Sequence, residues 1–296
     1  MRWPRPVLFG LICPSSGWAL HFVRPIWGRL VSDREIAGSS FLARAPTPSS
    51  QVLINMIPIQ NTVPSRYPPI ATWGLIAVNS MVFLIQIGLR PDELDWFLSH
   101  FALIPAAFFD SHNRTLGDYL PFVTNMFLHG GWLHLILNMW MLWLLGPSIE
   151  DRFGPARYLV FYLAAGVVAS VTHAMLNPTS DVPALGASGA IAGILGAYVR
   201  IFPFARVVVV VPIVIVPFFF EVPGIVFIGL WFIMQLLQGT GELLAPTTGG
   251  GVASWAHVGG FIAGLVLAPV VRRGGPAYRP YYPDEGMLGF TPWGYR

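Results

Sequence analysis

Apolar runs separated by short polar breaks recur between residues 70 and 271, and most approach the ~20 residues that a helix needs to cross a bilayer. Reading them in order predicts spans at 70–88, 121–146, 158–175, 185–202, 223–237 and 252–271. The run 207–220 is as apolar as any of these but short; it carries Pro212 and Pro217 and is followed by Glu221. It is expected to be an interfacial or re-entrant connector and not a seventh span. The connection 90–120 is long and holds Trp96, Phe97, Phe101, Phe108 and Phe109, which suits a loop lying partly in the membrane interface.

The ends read differently. Residues 1–55 are rich in Arg, Pro and Ser and add no span. Arg2 and Arg5 before the apolar 7–13 stretch look like the start of a signal peptide, but that core is at the lower limit of length. Met56 opens Met-Ile-Pro-Ile and offers a natural start, so 1–55 are expected to be a disordered or untranslated extension. Residues 56–69 are then a cytoplasmic segment, 70–272 a transmembrane domain, and the Gly-, Pro- and Tyr-rich 273–296 a disordered cytoplasmic tail.

Composition narrows the class. With 54% hydrophobic and 10% charged residues and a mean hydropathy of +0.62, there is too little polar surface to coat a soluble globule. The basic balance does not indicate nucleic acid: all 17 basic residues are arginines, scattered between apolar runs as topology markers. Arg66, Arg152, Arg157, Arg200, Arg206, Arg272, Arg273 and Arg279 fall on one side of a six-span trace. Only Arg90 and Arg114 fall on the other, among Asp92, Glu93, Asp95, Asp110 and Asp118. The expectation is a multi-pass protein of a cell membrane, a bacterial inner membrane, with both termini cytoplasmic. The single Cys13 excludes an internal disulfide and leaves the redox compartment undetermined.

Polar groups inside spans are costly, so they are the natural functional candidates. His134 and Asn138, four apart, share a face of the second span. The fourth span opens with Gly186-Ala187-Ser188-Gly189-Ala190 and the sixth with Ala256-His257-Val258-Gly259-Gly260. Both Ser188 and His257 thus lie near the outer ends of their helices. Gly189 with Gly193, and Gly260 with Gly264, form two G-x-x-x-G pairs that let backbones approach closely. A Ser and a His brought together this way can act as nucleophile and general base. Asn138, His134 and the Ser188 backbone N–H could stabilise the oxyanion that follows. No acidic third member is visible: Asp181 is in the preceding loop, and Glu150, Asp151 and Glu221 map to the cytoplasmic side. His129 and His173 read as structural, and the Trp and Phe residues as lipid-facing and interfacial surface.

Taken together and in this order, H-x-x-x-N at 134–138, G-A-S-G-A at 186–190 and A-H-x-x-G-x-x-x-G at 256–264 resemble the rhomboid intramembrane serine proteases. The likeness covers about residues 56–272 and extends to Leu145-Gly146, Glu150 and Arg152. It implies an all-α membrane fold, a six-helix transmembrane bundle whose short fourth span starts at the catalytic Ser188. It also implies a Ser188–His257 dyad without an acid, an oxyanion site from Asn138 and His134, and no cofactor or metal. The partners it implies are transmembrane protein substrates in a lipid bilayer. Two departures stand out: Tyr119-Leu120-Pro121 occupies the place of a common Trp-Arg pattern, and Ala192 stands where some members set an aromatic ring against the His. An inactive relative of the family would lose Ser or His, and both are here. A transporter would spread ionisable groups along a path, metal-dependent intramembrane proteases need H-E-x-x-H, and aspartyl ones need paired Asp residues within spans.

Overall fold

Glycine and proline set the ends of the helices. The structure, a computed structural model, describes residues 57–63, 65–111, 114–213, 216–244 and 253–272. The readings made for 1–55 and for the tail fall outside the described residues. Helix α1 (Ile70–Gly88) follows Pro69 and matches its expected span. Helices α2 (Pro91–Phe101) and α3 (Pro105–Asp110) each begin on a proline, whose missing N–H costs nothing in a first helical turn. They occupy the long connection that reads from sequence as a loop.

The second span does not run unbroken from residue 121. A short helix α4 (Pro121–Thr124) and a 3-10 turn lead to extended Leu128, and the chain re-enters a helix only at α5 (Trp132–Phe153). Gly130 and Gly131 favour this break, since glycine loses most backbone freedom in a helix. At its other end α5 passes the expected stop at Gly146. Pro147 removes one backbone donor, but the turn beyond it is held from outside by Glu150. That buried carboxylate accepts the N–H of Ala71 at 2.9 Å, the N–H of Thr72 at 2.8 Å and the Thr72 hydroxyl at 2.8 Å. The first turn of α1 thereby gains acceptors for donors that have no intrahelical partner.

Gly154, at φ 77°, ends α5 and leads through Pro155 into α6 (Pro155–Leu176). Helix α7 (Ser188–Ile201) is shorter and buried from Gly189 through Tyr198. It sits at the centre of the bundle, touching α5 and α6. Helices α8 (Gly224–Leu244) and α9 (Ser254–Val271) complete the set. Among the described residues, α1, α5, α6, α8 and α9 are long and apolar enough to cross a membrane, and α7 is a shorter apolar helix.

The connector after α7 is a β-hairpin. Strand β1 (Ile57–Asn61) pairs antiparallel with β2 (Arg206–Ile213), which pairs antiparallel with β3 (Val216–Pro223). Five consecutive valines at 207–211 favour extended backbone, and Pro212 opposite Pro217 forbids helix on both arms. Val207, Val208 and Val209 are buried, while Phe218, Phe219 and Phe220 are exposed. An Arg206–Glu221 ion pair at 3.1 Å closes the open end of the hairpin. A small sheet thus joins the helices, which the hydropathy pattern alone does not reveal.

Candidate active site

Two close helix contacts bring the site together. Helix α9 packs on α7 along its glycines: a methyl group on Gly260 would collide with the carbonyl of Gly189, and one on Gly264 with the carbonyl of Gly193. Gly196 meets the Phe261 carbonyl in the same way. With nothing but backbone between them, the helices present Ser188 and His257 to each other. His257 Nε2 lies 2.7 Å from Ser188 Oγ, within hydrogen-bond reach. Ser188 is the first residue of α7, so its N–H falls among the donors that a helix start leaves without intrahelical partners.

The loop that delivers Ser188 is fixed on its other side. Gly186 N–H donates to the Asn125 carbonyl at 2.9 Å, and Asn125 Nδ2 donates to Ser170 Oγ at 2.9 Å and to the Pro121 carbonyl. Gly186 has φ 121°, in the region that favours glycine, and a Cβ there would stand 2.7 Å from His134 Nε2. The ring of His134 therefore lies directly against the approach to Ser188. Gly130 N–H donates to His134 Nδ1 at 3.4 Å, which leaves the ring proton on Nε2, the nitrogen facing Gly186. One turn further along α5, Asn138 is buried, and its Nδ2 has no acceptor among the described residues. That nitrogen would stand 3.5 Å from a Cβ on Gly186. A buried amide donor left unmatched costs about 1–3 kcal/mol, so this nitrogen is poised to take an acceptor.

Four residues singled out from the sequence thus lie around one loop. The sequence reading misses two more, both on α8. Gln235 Oε1 is 2.7 Å from His257 Nδ1, and the Trp231 ring lies 5.7 Å from the imidazole at 43°. A glutamine inside so apolar a helix is itself a signal, because polar side chains in spans need a reason. Trp231 supplies an aromatic neighbour to His257 from a different helix than the one carrying Ala192.

The first loop is anchored without a Trp-Arg pair. Leu103 and Ala184 exchange backbone hydrogen bonds at 2.8 and 3.3 Å, and Ala106 N–H donates to the Ser180 carbonyl at 3.0 Å. Thr124 Oγ1 donates to the Phe101 carbonyl at 2.7 Å, and Phe108 meets Phe122 edge to face at 4.9 Å. His129 is bound through its backbone: its N–H donates to Gln86 Oε1 at 3.0 Å, and its carbonyl accepts from Gln86 Nε2 at 3.3 Å. His173 lines a cavity of about 20 Å³ beside Ser188, room for a single water molecule.

Residues 116–274, which hold every one of these groups except the first-loop anchors before Leu116 and Gln86, match the Rhomboid domain. The chain belongs to the rhomboid family. Among its relatives, Rhomboid-like protease 5 of Toxoplasma gondii is 31% identical over 187 residues, covering 60% of this chain and 19% of that protein. Rhomboid protease GluP of Bacillus subtilis is 41% identical over 81 residues, covering 27% of this chain and 15% of its own. Rhomboid protein 1, mitochondrial, of Saccharomyces cerevisiae is 26% identical over 212 residues, or 70% of this chain and 55% of that one. The matched regions thus take in less than two thirds of the length of each of these relatives. Rhomboid membership and five long apolar helices make the protein a multi-pass helical membrane bundle.

Proposed function

We propose that this rhomboid is an intramembrane serine endopeptidase, hydrolysing peptide bonds in or near the transmembrane segments of other membrane proteins. The 2.7 Å contact between His257 Nε2 and Ser188 Oγ carries the reading. As Oγ attacks a substrate carbonyl carbon, its proton passes to Nε2 and the carbonyl oxygen becomes an oxyanion. Asn138 Nδ2, His134 Nε2–H and the Ser188 N–H are the donors for that charge. Return of the proton to the leaving amine breaks the C–N bond and leaves an acyl-enzyme. Water, deprotonated by the same imidazole, then releases the acid and restores the serine.

Loss of one oxyanion donor costs about 2.7–4 kcal/mol in hydrolases whose charge is held this way. The arginine asymmetry supports a cell membrane location with both ends of the domain cytoplasmic and Ser188 near the outer face.

The deciding experiment reconstitutes the chain in liposomes with a single-span reporter. Ser188→Ala and His257→Ala should each abolish cleavage while leaving expression and helicity intact. Retained cleavage in both variants would overturn the proposal.

A further inference from the structure

Gln235 reaches from α8 to the imidazole edge opposite Ser188. Both partners are nearly buried, Gln235 at 7% exposure and His257 at 8%. The two ring nitrogens make one contact each, both of 2.7 Å: Nδ1 to Gln235 Oε1 and Nε2 to Ser188 Oγ. A neutral imidazole carries one proton, and which nitrogen holds it depends on what the other faces. Gln235 turns a carbonyl oxygen toward Nδ1, and a carbonyl oxygen can only accept. The proton must then sit on Nδ1, leaving the Nε2 lone pair for the serine hydroxyl.

We infer that Gln235 is a positioning residue for the Ser188–His257 reaction: its amide oxygen selects the Nδ1–H tautomer and supports the imidazolium that forms when Ser188 gives up its proton. This rests on the protease reading. The amide is uncharged, so it holds the ring without placing an ion pair in an apolar site, where desolvating both charges is costly. Once Nε2 is protonated, the Nδ1–H donor becomes part of a cation and its bond to Oε1 strengthens as a charge-assisted one. The contact is therefore worth more after proton transfer than before, which is what lowers a barrier. Trp231, one turn earlier on α8, lies tilted against the same ring.

The test compares Gln235→Met, which keeps the length and removes the acceptor, with Gln235→Glu, which restores an acceptor. In liposomes Gln235→Met should lower kcat about 10- to 100-fold with KM within about twofold, a fraction of the ~10⁴ lost when a triad histidine is held in the wrong tautomer. Gln235→Glu should recover to within about tenfold of the parent. In ¹⁵N-histidine spectra of the parent in micelles, His257, assigned by its absence in His257→Ala, should show a protonated Nδ1 and an unprotonated Nε2. Parental kcat in Gln235→Met overturns the inference. So does Glu performing no better than Met, or an Nε2–H tautomer in the parent. Cleavage persisting in Ser188→Ala would sink the protease reading instead, and the spectrum of the parent would still decide whether Gln235 sets the tautomer.

Discussion

Gly260 on α9 rests against the carbonyl oxygen of Gly189 on α7 with no space for a methyl group between them. The residue after Ser188 and a residue one turn from His257 are thus in backbone contact. Gly260→Ala should force the helices apart, cost about 1–3 kcal/mol by overpacking, and reduce cleavage by about a hundredfold, the loss expected for a misplacement near 1 Å. Gly229→Ala on α8, where nothing lies within 4 Å, should leave cleavage unchanged and raise stability by about 0.4–1 kcal/mol. Unfolding in detergent and reporter cleavage measure the two effects.

Asn138→Ala removes an oxyanion donor and not the dyad. Cleavage should fall toward the lower end of a hundred- to thousandfold, roughly 2.7 kcal/mol, while a small fluorophosphonate still labels Ser188. His134→Ala should behave similarly, and the double variant should lose less than the sum, because the two donors serve one charge. Parental single-turnover cleavage by Asn138→Ala would remove Asn138 from the mechanism.

Glu150 predicts a stability effect separable from chemistry. Its carboxylate receives three donors from Ala71 and Thr72, so Glu150→Ala should destabilise the bundle by about 2–4 kcal/mol. Residual folded protein should cleave normally at low temperature. A melting point equal to the parent would show that α1 finds other acceptors.

Topology is tested by thiol labelling in a Cys13→Ser background. A cysteine at Asp181 should react with a membrane-impermeant reagent from outside, and one at Arg66 should not. The opposite pattern would invert the orientation read from the arginines.

A chain starting at Met56 should remain fully active, because β1 begins at Ile57 and is kept whole. A chain starting at Ser65 loses β1 and should be less stable to heat, since β2 then has an unpaired edge. Equal melting temperatures for the two would show that the strand contributes nothing.

The bundle was legible because a membrane imposes a hydropathy period that no other constraint disguises. The α1 boundaries follow directly from it. Hydropathy does not separate a valine-rich strand from a valine-rich helix, so 207–220 read as a membrane connector although its valines and two prolines are β-hairpin chemistry. It also runs through the break at Leu128–Gly131, since glycine and leucine are apolar whatever backbone they adopt. Around the site, Ser188, His257, His134 and Asn138 stood out as polar groups in apolar surroundings, with glycine spacing to bring two of them together. Gln235 has the same signature, but its meaning depends on which helix faces His257, and pairing between α8 and α9 is not written in either segment alone.

The pairing of β1 with β2 also counts membrane crossings. Two hydrogen-bonded strands lie on one side of a bilayer, so the chain between Asn61 and Arg206 must cross an even number of times. Only three of the long apolar helices, α1, α5 and α6, lie in that interval, and α2 and α3 are too short to cross. Under the proposed six-span trace the fourth crossing would be α7, whose 14 residues reach only about 21 Å at 1.5 Å per residue. That is well short of the roughly 30 Å hydrocarbon thickness. A helix that short is accommodated by local thinning of the bilayer or by an end that lies below the membrane surface, and Ser188 is the residue at which this helix begins.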